Sequence, residues 1–342
     1  MKPKIGILGY GVIGKRLADA VILQDDMELV GVAGRSASFS LRDANLKGYK
    51  VFITDQPKPE DASQRLCTID GTFEDLLINC DVLLDCTPKG IPNQYLDLYN
   101  SQKDLITIVQ GGEKHNFGGT SFNSFANYND SFGKKKIRVI SCSSTGSTRF
   151  VYTLDKYFGL DHAFISLVRR GSDLIKSGSG LFNCLKPVLG QSHHAIDVNT
   201  VLPDLNLFSM AVQAPTTFSH VLNIQADLKK PVTAQEVIEV FENMPRVIVG
   251  EGMHSTAELM EYYMDMGRPR RDRPEIFLWK ESVVVKDKTV YASINVHMES
   301  ITIPETIDCV RAVCGLEENN WKSVYKTDLA LNIQKHKECY KK

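Results

Sequence analysis

Paired cysteines are missing from this sequence. Its eight, Cys67, Cys80, Cys86, Cys142, Cys184, Cys309, Cys314 and Cys339, show no C-x-x-C spacing. That disfavours a zinc or other metal site and, in a chain of 342 residues, a disulfide framework. An excess of charge is missing too: 40 Lys and Arg against 41 Asp and Glu give a formal net charge of -1. Nothing electrostatic therefore argues for nucleic acid or a membrane surface as the principal partner, and any anion must be met by local charges. No apolar run approaches the roughly 20 residues of a membrane span. The opening "MKPKIGILGYG" enters a strand at once, leaving no room for a signal or transit peptide, so a reducing cytoplasm is the expected compartment. Internal repeats and low-complexity linkers are absent as well. What is left is a globular α/β chain long enough for two domains and a sizeable core.

The first pattern present is "KIGILGYGVIGKRLADAVI", an apolar strand, then Gly9-x-Gly11-x-x-Gly14, then an amphipathic helix. The glycines turn the chain, let the backbone approach a pyrophosphate and pack helix against strand, while the helix N-terminus offers free N–H groups. A second strand, "MELVGVAG", follows within the span of a dinucleotide-binding unit. Gly9, Tyr10, Gly11, Val12, Ile13 and Gly14 are thus the expected cofactor turn. NAD readers carry an acid at the end of the second strand. Here Arg35 and Ser36 stand in its place, so Arg35 is expected to pair with the 2′-phosphate of NADP. If Arg35 is instead a solvated loop residue, NAD serves as well.

Further apolar strands, "CDVLLDCTP", "ITIVQGG" and "IRVIS", fit a parallel sheet covered on both faces. Ligands sit at the carboxyl ends of such strands, which nominates Thr87, Pro88, Gln110 and Gly111. After residue 160 the strands lengthen and alternate, as in "HAFISLVRRGSD" and "FSHVLNIQADL". A second, mostly antiparallel sheet with helices on it is predicted. The carboxy-terminal segment returns to helix and could pack on either domain.

Cys142 leaves a strand at the start of the predicted helix "STRFVYTLDKYF". A helix N-terminus lowers a thiol pKa, and the thiolate is the reactive form, so Cys142 is the candidate nucleophile. Its candidate partner is His220, on one face of a strand with Phe218, Leu222 and Ile224, where a hydrogen-bonded core histidine is the alternative. Arg169 and Arg170 end a strand and suit a phosphate or carboxylate; a structural salt bridge is the other reading. His193 and His194 lie in the polar loop "GQSHHAID".

These motifs together resemble the archaeal-type (class II) glyceraldehyde-3-phosphate dehydrogenases nearly end to end: "GYGVIGKRLADAV", "DCTPKGI", "QGGEKH", "SFNS", "SC-x-x-TG-x-x-R", "VRRG-x-D", "SHH", "PTT-x-x-H-x-x-N", "STAE-x-MEY", "W-x-ES" and "VRA", in order. The resemblance implies a Rossmann domain of residues 1–141 and 304–342, the carboxy-terminal helix packing back on it, and an α+β catalytic domain of residues 142–303. It implies Cys142 as nucleophile, His220 as the group that activates it and takes the proton, and a phosphorylated aldehyde with inorganic phosphate as substrates. Ser141, Ser143, Thr145, Arg169, Arg170, His193 and His194 become the expected substrate and phosphate contacts. A homotetramer using NADP in preference to NAD is implied as well. The chain departs from the family pattern at Ser143 and Ser144 (Asn-Thr in the family), at Leu222 (a second histidine), at Met298 (glutamine) and at Leu8 (asparagine). The loop from Asp173 to Ser192 is also shorter. Two alternatives follow: a paralogue running the same thioester chemistry on another aldehyde or acyl phosphate, and a non-catalytic nucleotide-binding protein.

Overall fold

The computed structural model describes residues 2–55, 67–110, 112–172 and 181–333. The described chain divides into two compact units, one within residues 1–140 and 303–332, the other within residues 141–302.

The first unit is a wholly parallel eight-stranded sheet. In chain order its elements are β1 (Lys4–Leu8), α1 (Val12–Ile22), β2 (Glu28–Gly34), α2 (Phe39–Leu46), β3 (Val51–Ile53), β4 (Gly71–Thr72), α3 (Phe73–Asn79), β5 (Val82–Asp85), α4 (Leu96–Ser101), β6 (Ile106–Val109), β7 (Ser121–Phe122) and β8 (Lys136–Val139). Spatially the order is β4-β3-β2-β1-β5-β6-β8-β7. The order reverses at β1, which lies between β2 and β5, so the carboxyl ends of β1 and β5 form the switch point where such sheets take their ligand. Helix α1 buries Leu17, Ala18 and Val21, a helical stripe, against a core shared with Ile5 and Ile7 of β1.

The second unit holds α5 (Cys142–Phe158), β9 (Leu160–Arg170), β10 (Lys186–Pro187), α6 (His193–Asn199), β11 (Leu207–Ala214), β12 (His220–Leu228), α7 (Ala234–Glu242), β13 (Val247–Gly250), α8 (Thr256–Asp265), β14 (Ile276–Trp279), β15 (Val284–Lys286) and β16 (Thr289–Val296). Its sheet order is β10-β11-β9-β12-β16-β14-β13, with β15 on β16. Most neighbours are antiparallel, as predicted, but β9 with β11 and β13 with β14 run parallel, so the sheet is mixed. The chain re-enters through α6 before β11, the kind of crossover a parallel pair needs.

The chain then returns to the first unit as α9 (Thr302–Val313) and α10 (Asn320–Ala330). Ile303, Ile307, Val310 and Val313 of α9 enter the same core as β1 and α1. Arg311 is buried, with two bonds to Asp26 at 2.7 and 3.1 Å and one to Gln24 at 2.6 Å. Glu305 accepts from Ser124 N and Asn123 Nδ2, which gives the "SFNS" motif a structural task.

Candidate active site

In the first unit the glycine turn fits a dinucleotide. A Cβ on Gly14 would fall on the Gly9 carbonyl oxygen, so glycine there is demanded by the turn itself. Gly9 has φ +90° and lies against the Cys86 and Thr87 backbone. Gly11 is different: a Cβ there would meet nothing within 4 Å. The protein's own packing does not require that glycine, whereas a close-lying pyrophosphate does. No side chain caps α1, so its first N–H groups are available to phosphate. Tyr10 is buried, Val12 O accepts from Arg16, and Ile13 packs on the core; these three shape the turn rather than face a ligand with polar side-chain atoms.

Thr87, at the end of β5, is fixed by the buried carboxylate of Asp85, which accepts from its N–H at 2.9 Å and its hydroxyl at 2.6 Å. Burial holds Asp85 above the usual carboxylate range. Pro88 is exposed, and the Gln110 amide is bonded to Thr306 of α9 at 3.2 Å. Gly111 lies outside the described residues. Arg35 is 85% exposed and lies 4.0 Å from Asp55, and Ser36 is exposed beside it.

In the second unit Cys142 is the first residue of α5, and no side chain caps the helix. Two features bring this helix end to the strand ends. A Cβ on Gly146, one turn on, would overlap Val296, and Val296 is the residue paired with His220 across β16 and β12. Arg149, fully buried, donates to the carbonyls of Arg246, Pro274 and Ile301. The helix is therefore pinned against the sheet by the T-G-x-x-R residues themselves.

His220 is 1% exposed, and its Nδ1 accepts from the Arg170 N–H at 3.1 Å. In the neutral ring the proton then sits on Nε2, which has no partner. Burial, then Arg169 and Arg170, hold the His220 pKa well below normal. In this arrangement Nδ1 is the acceptor and Nε2 the donor.

The thiol also differs from expectation. Burial pushes the Cys142 pKa up, and Arg169, Ser143 and Arg170 offset only part of that rise. Helix-end placement does not outweigh burial here.

The two arginines separate. Arg170 is closed off inside the protein, bonded to Glu299 Oε1, Met298 Sδ and Thr217 O, which removes it as a substrate contact: its guanidinium is already committed. Arg169 Nε is buried without a partner, and its charge acts on Cys142, His194 and His220 alike. His194 is buried, paired with Ser192 Oγ at 3.1 Å, and held at a pKa of about 3 by burial and then by His193 and Arg169. It is therefore a neutral ring rather than a phosphate-binding cation. His193 is exposed and stacks on it at 4.1 Å. Thr145 is wholly buried, and Ser141 Oγ is bonded to Ser144 Oγ at 2.8 Å; a sealed hydroxyl and a committed one are poor substrate contacts. Sequence reasoning missed Asp197, whose carboxylate accepts from the Ser141 N–H at 3.2 Å and ties α6 to the start of α5. An acid three residues after "HH" carries no local signal for that role.

A doubly wound unit with an open glycine turn and a unit carrying a helix-borne thiol, an arginine beside it in charge and a buried imidazole are the parts of a nicotinamide-dependent aldehyde dehydrogenase. Residues 141–267 match the family described as glyceraldehyde 3-phosphate dehydrogenase, C-terminal domain. The chain is 41% identical to the glyceraldehyde-3-phosphate dehydrogenase of Methanothermus fervidus, over 96% of this chain and 98% of that one. It is 39% identical to the protein of the same name from Hyperthermus butylicus, over 97% and 98%. With glyceraldehyde-3-phosphate dehydrogenase 1 of Methanosarcina barkeri the identity is 38%, over 98% and 99%. The chain belongs to the archaeal-type glyceraldehyde-3-phosphate dehydrogenase family.

Proposed function

We propose that the chain is a phosphorylating glyceraldehyde-3-phosphate dehydrogenase that works through a thioester on Cys142. One observation carries this reading: Arg169, whose charge bears on both Cys142 and His220, has a buried Nε without a partner among the described residues. The Cys142 thiolate adds to the aldehyde carbon. The oxyanion that results takes hydrogen bonds from the Ser143 N–H and from His220 Nε2–H. A bound nicotinamide ring supplies the acceptor for the hydride that leaves this carbon. Inorganic phosphate, drawn by Arg169, then attacks the thioester; the C–S bond breaks, Cys142 leaves as thiolate, the proton of the phosphate passes to solvent, and an acyl phosphate is released.

NADP is the preferred cofactor on this reading, since the exposed Arg35 guanidinium suits a 2′-phosphate. Family resemblance supports a homotetramer in the cytoplasm; among the described residues no helix is long and apolar enough to cross a membrane.

The test is a kinetic comparison of wild type and Cys142→Ser with glyceraldehyde 3-phosphate, with and without phosphate, in NAD and NADP. Loss of activity by several orders of magnitude with NADP binding retained is expected. A wild type without phosphate-dependent NADP reduction would sink the substrate reading, and an active Cys142→Ser would sink the thioester. A second reading, another aldehyde, rests on Ser143 beside the nucleophile and Met298 against Arg170. A substrate panel decides it: preference for another aldehyde by about a hundredfold, roughly 2.7 kcal/mol, would favour this second reading.

A further inference from the structure

The Ser143 hydroxyl has no evident task in holding the fold together. The residue is 1% exposed, and among the described residues its Oγ has no hydrogen-bond partner, a costly state for a buried hydroxyl. Nearby hydroxyls of the same helix settle theirs: Ser144 Oγ pairs with Ser141 Oγ, and Thr153 donates to the Arg149 carbonyl. Ser147 and Thr148 are also without partners, but they lie deeper in α5, and only Ser143 adjoins the nucleophile. Its N–H and hydroxyl both act on the Cys142 thiol in the direction of ionisation.

An unpartnered donor next to a thiol has a chemical explanation. A neutral thiol is a weak acceptor, so the hydroxyl gains little from it; a thiolate is a strong one, and the bond becomes charge-assisted. The donor is left unsatisfied in the resting state and satisfied once the sulfur ionises. We propose that the Ser143 hydroxyl is a catalytic hydrogen-bond donor to the Cys142 sulfur, stabilising the thiolate before it attacks and again when it leaves the thioester. The proposal rests on the reading of Cys142 as nucleophile.

The pH dependence of Cys142 alkylation by iodoacetamide, followed on the Cys142 peptide by mass spectrometry, tests it in the full chain. In Ser143→Ala the midpoint is expected to rise by about one pH unit, which slows alkylation near neutrality about tenfold and leaves the limiting rate at high pH unchanged. Ser143→Thr, which keeps the hydroxyl, is expected to hold the wild-type midpoint. Should the alanine variant fold poorly, Ser143→Gly is expected to give the same shift. A merely structural serine would move the melting temperature and not the midpoint. Profiles of Ser143→Ala or Ser143→Gly superimposable on wild type overturn the proposal alone if Cys142→Ser is inactive. An active Cys142→Ser overturns it together with the thioester reading.

Discussion

At the scale of single residues, Arg169 and Arg170 are adjacent and identical in type, and only their partners tell them apart. Arg170 takes Glu299, a residue 129 positions later in the chain, and its side chain is 2% exposed against 12% for the acid. Removing one member of a buried pair strands the other charge in a poor solvent, which costs about 3–5 kcal/mol. Glu299→Gln is therefore expected to destabilise the protein by roughly 3 kcal/mol in denaturant unfolding, whereas Met298→Leu, a volume-conserving swap, costs less than about 1.5 kcal/mol. Equal small losses for the two variants would show that Arg170 does not depend on Glu299. This pairing was illegible in the sequence because a salt bridge across that separation is set by strand register, not by spacing. The placement of Cys142 was legible because strand end and helix start are both local.

Among the elements, the glycine turn with α1 and β2 could be read in full, as each step is encoded within a few residues. The strands β3, β4 and β7 could not: at two or three residues they are too short to show an alternation. The parallel pairing of β9 with β11 was hidden for another reason, since strand direction depends on how the intervening chain crosses over. Helix α5 adds a prediction at this scale. Its approach to β16 requires that residue 146 have no side chain, because a Cβ would overlap Val296 Cγ2. Gly146→Ala forces helix and strand apart, and overpacking of this kind costs about 1–3 kcal/mol. Because Val296 is the partner of His220 in the ladder, that displacement also separates the thiol from the strand ends. The variant is expected to lose more in kcat than its stability loss explains at a temperature where it is fully folded. A stable variant with wild-type kcat would mean that α5 tolerates the shift.

For the molecule as a whole, the change from continuous to alternating strands announces two units, and the amphipathic pattern of α9 announces burial but not its location. That is decided by the buried Arg311 and its bonds to Asp26 and Gln24, nearly 290 positions away. Whole-chain stability then carries a signature of the site. His194 and His220 are buried as neutral rings, His194 with a pKa lowered from 6.5 to about 3. The unfolded chain binds a proton on each below about pH 6.5, while the folded chain does not. Their contribution is thus fully present above that pH and is lost as the pH falls. For His194 alone the loss amounts to about 2 kcal/mol between neutrality and roughly pH 5. Asp85 works in the opposite sense, since its raised carboxyl favours the folded state at low pH. The informative quantity is therefore a difference. Denaturant unfolding of wild type and His194→Asn at about pH 7.5 and pH 5 cancels every group but one. The variant, whatever its stability at neutral pH, is expected to lose about 2 kcal/mol less on acidification. Parallel losses in the two proteins would mean that His194 charges freely in the folded state, and that burial beside His193 and Arg169 does not hold it neutral.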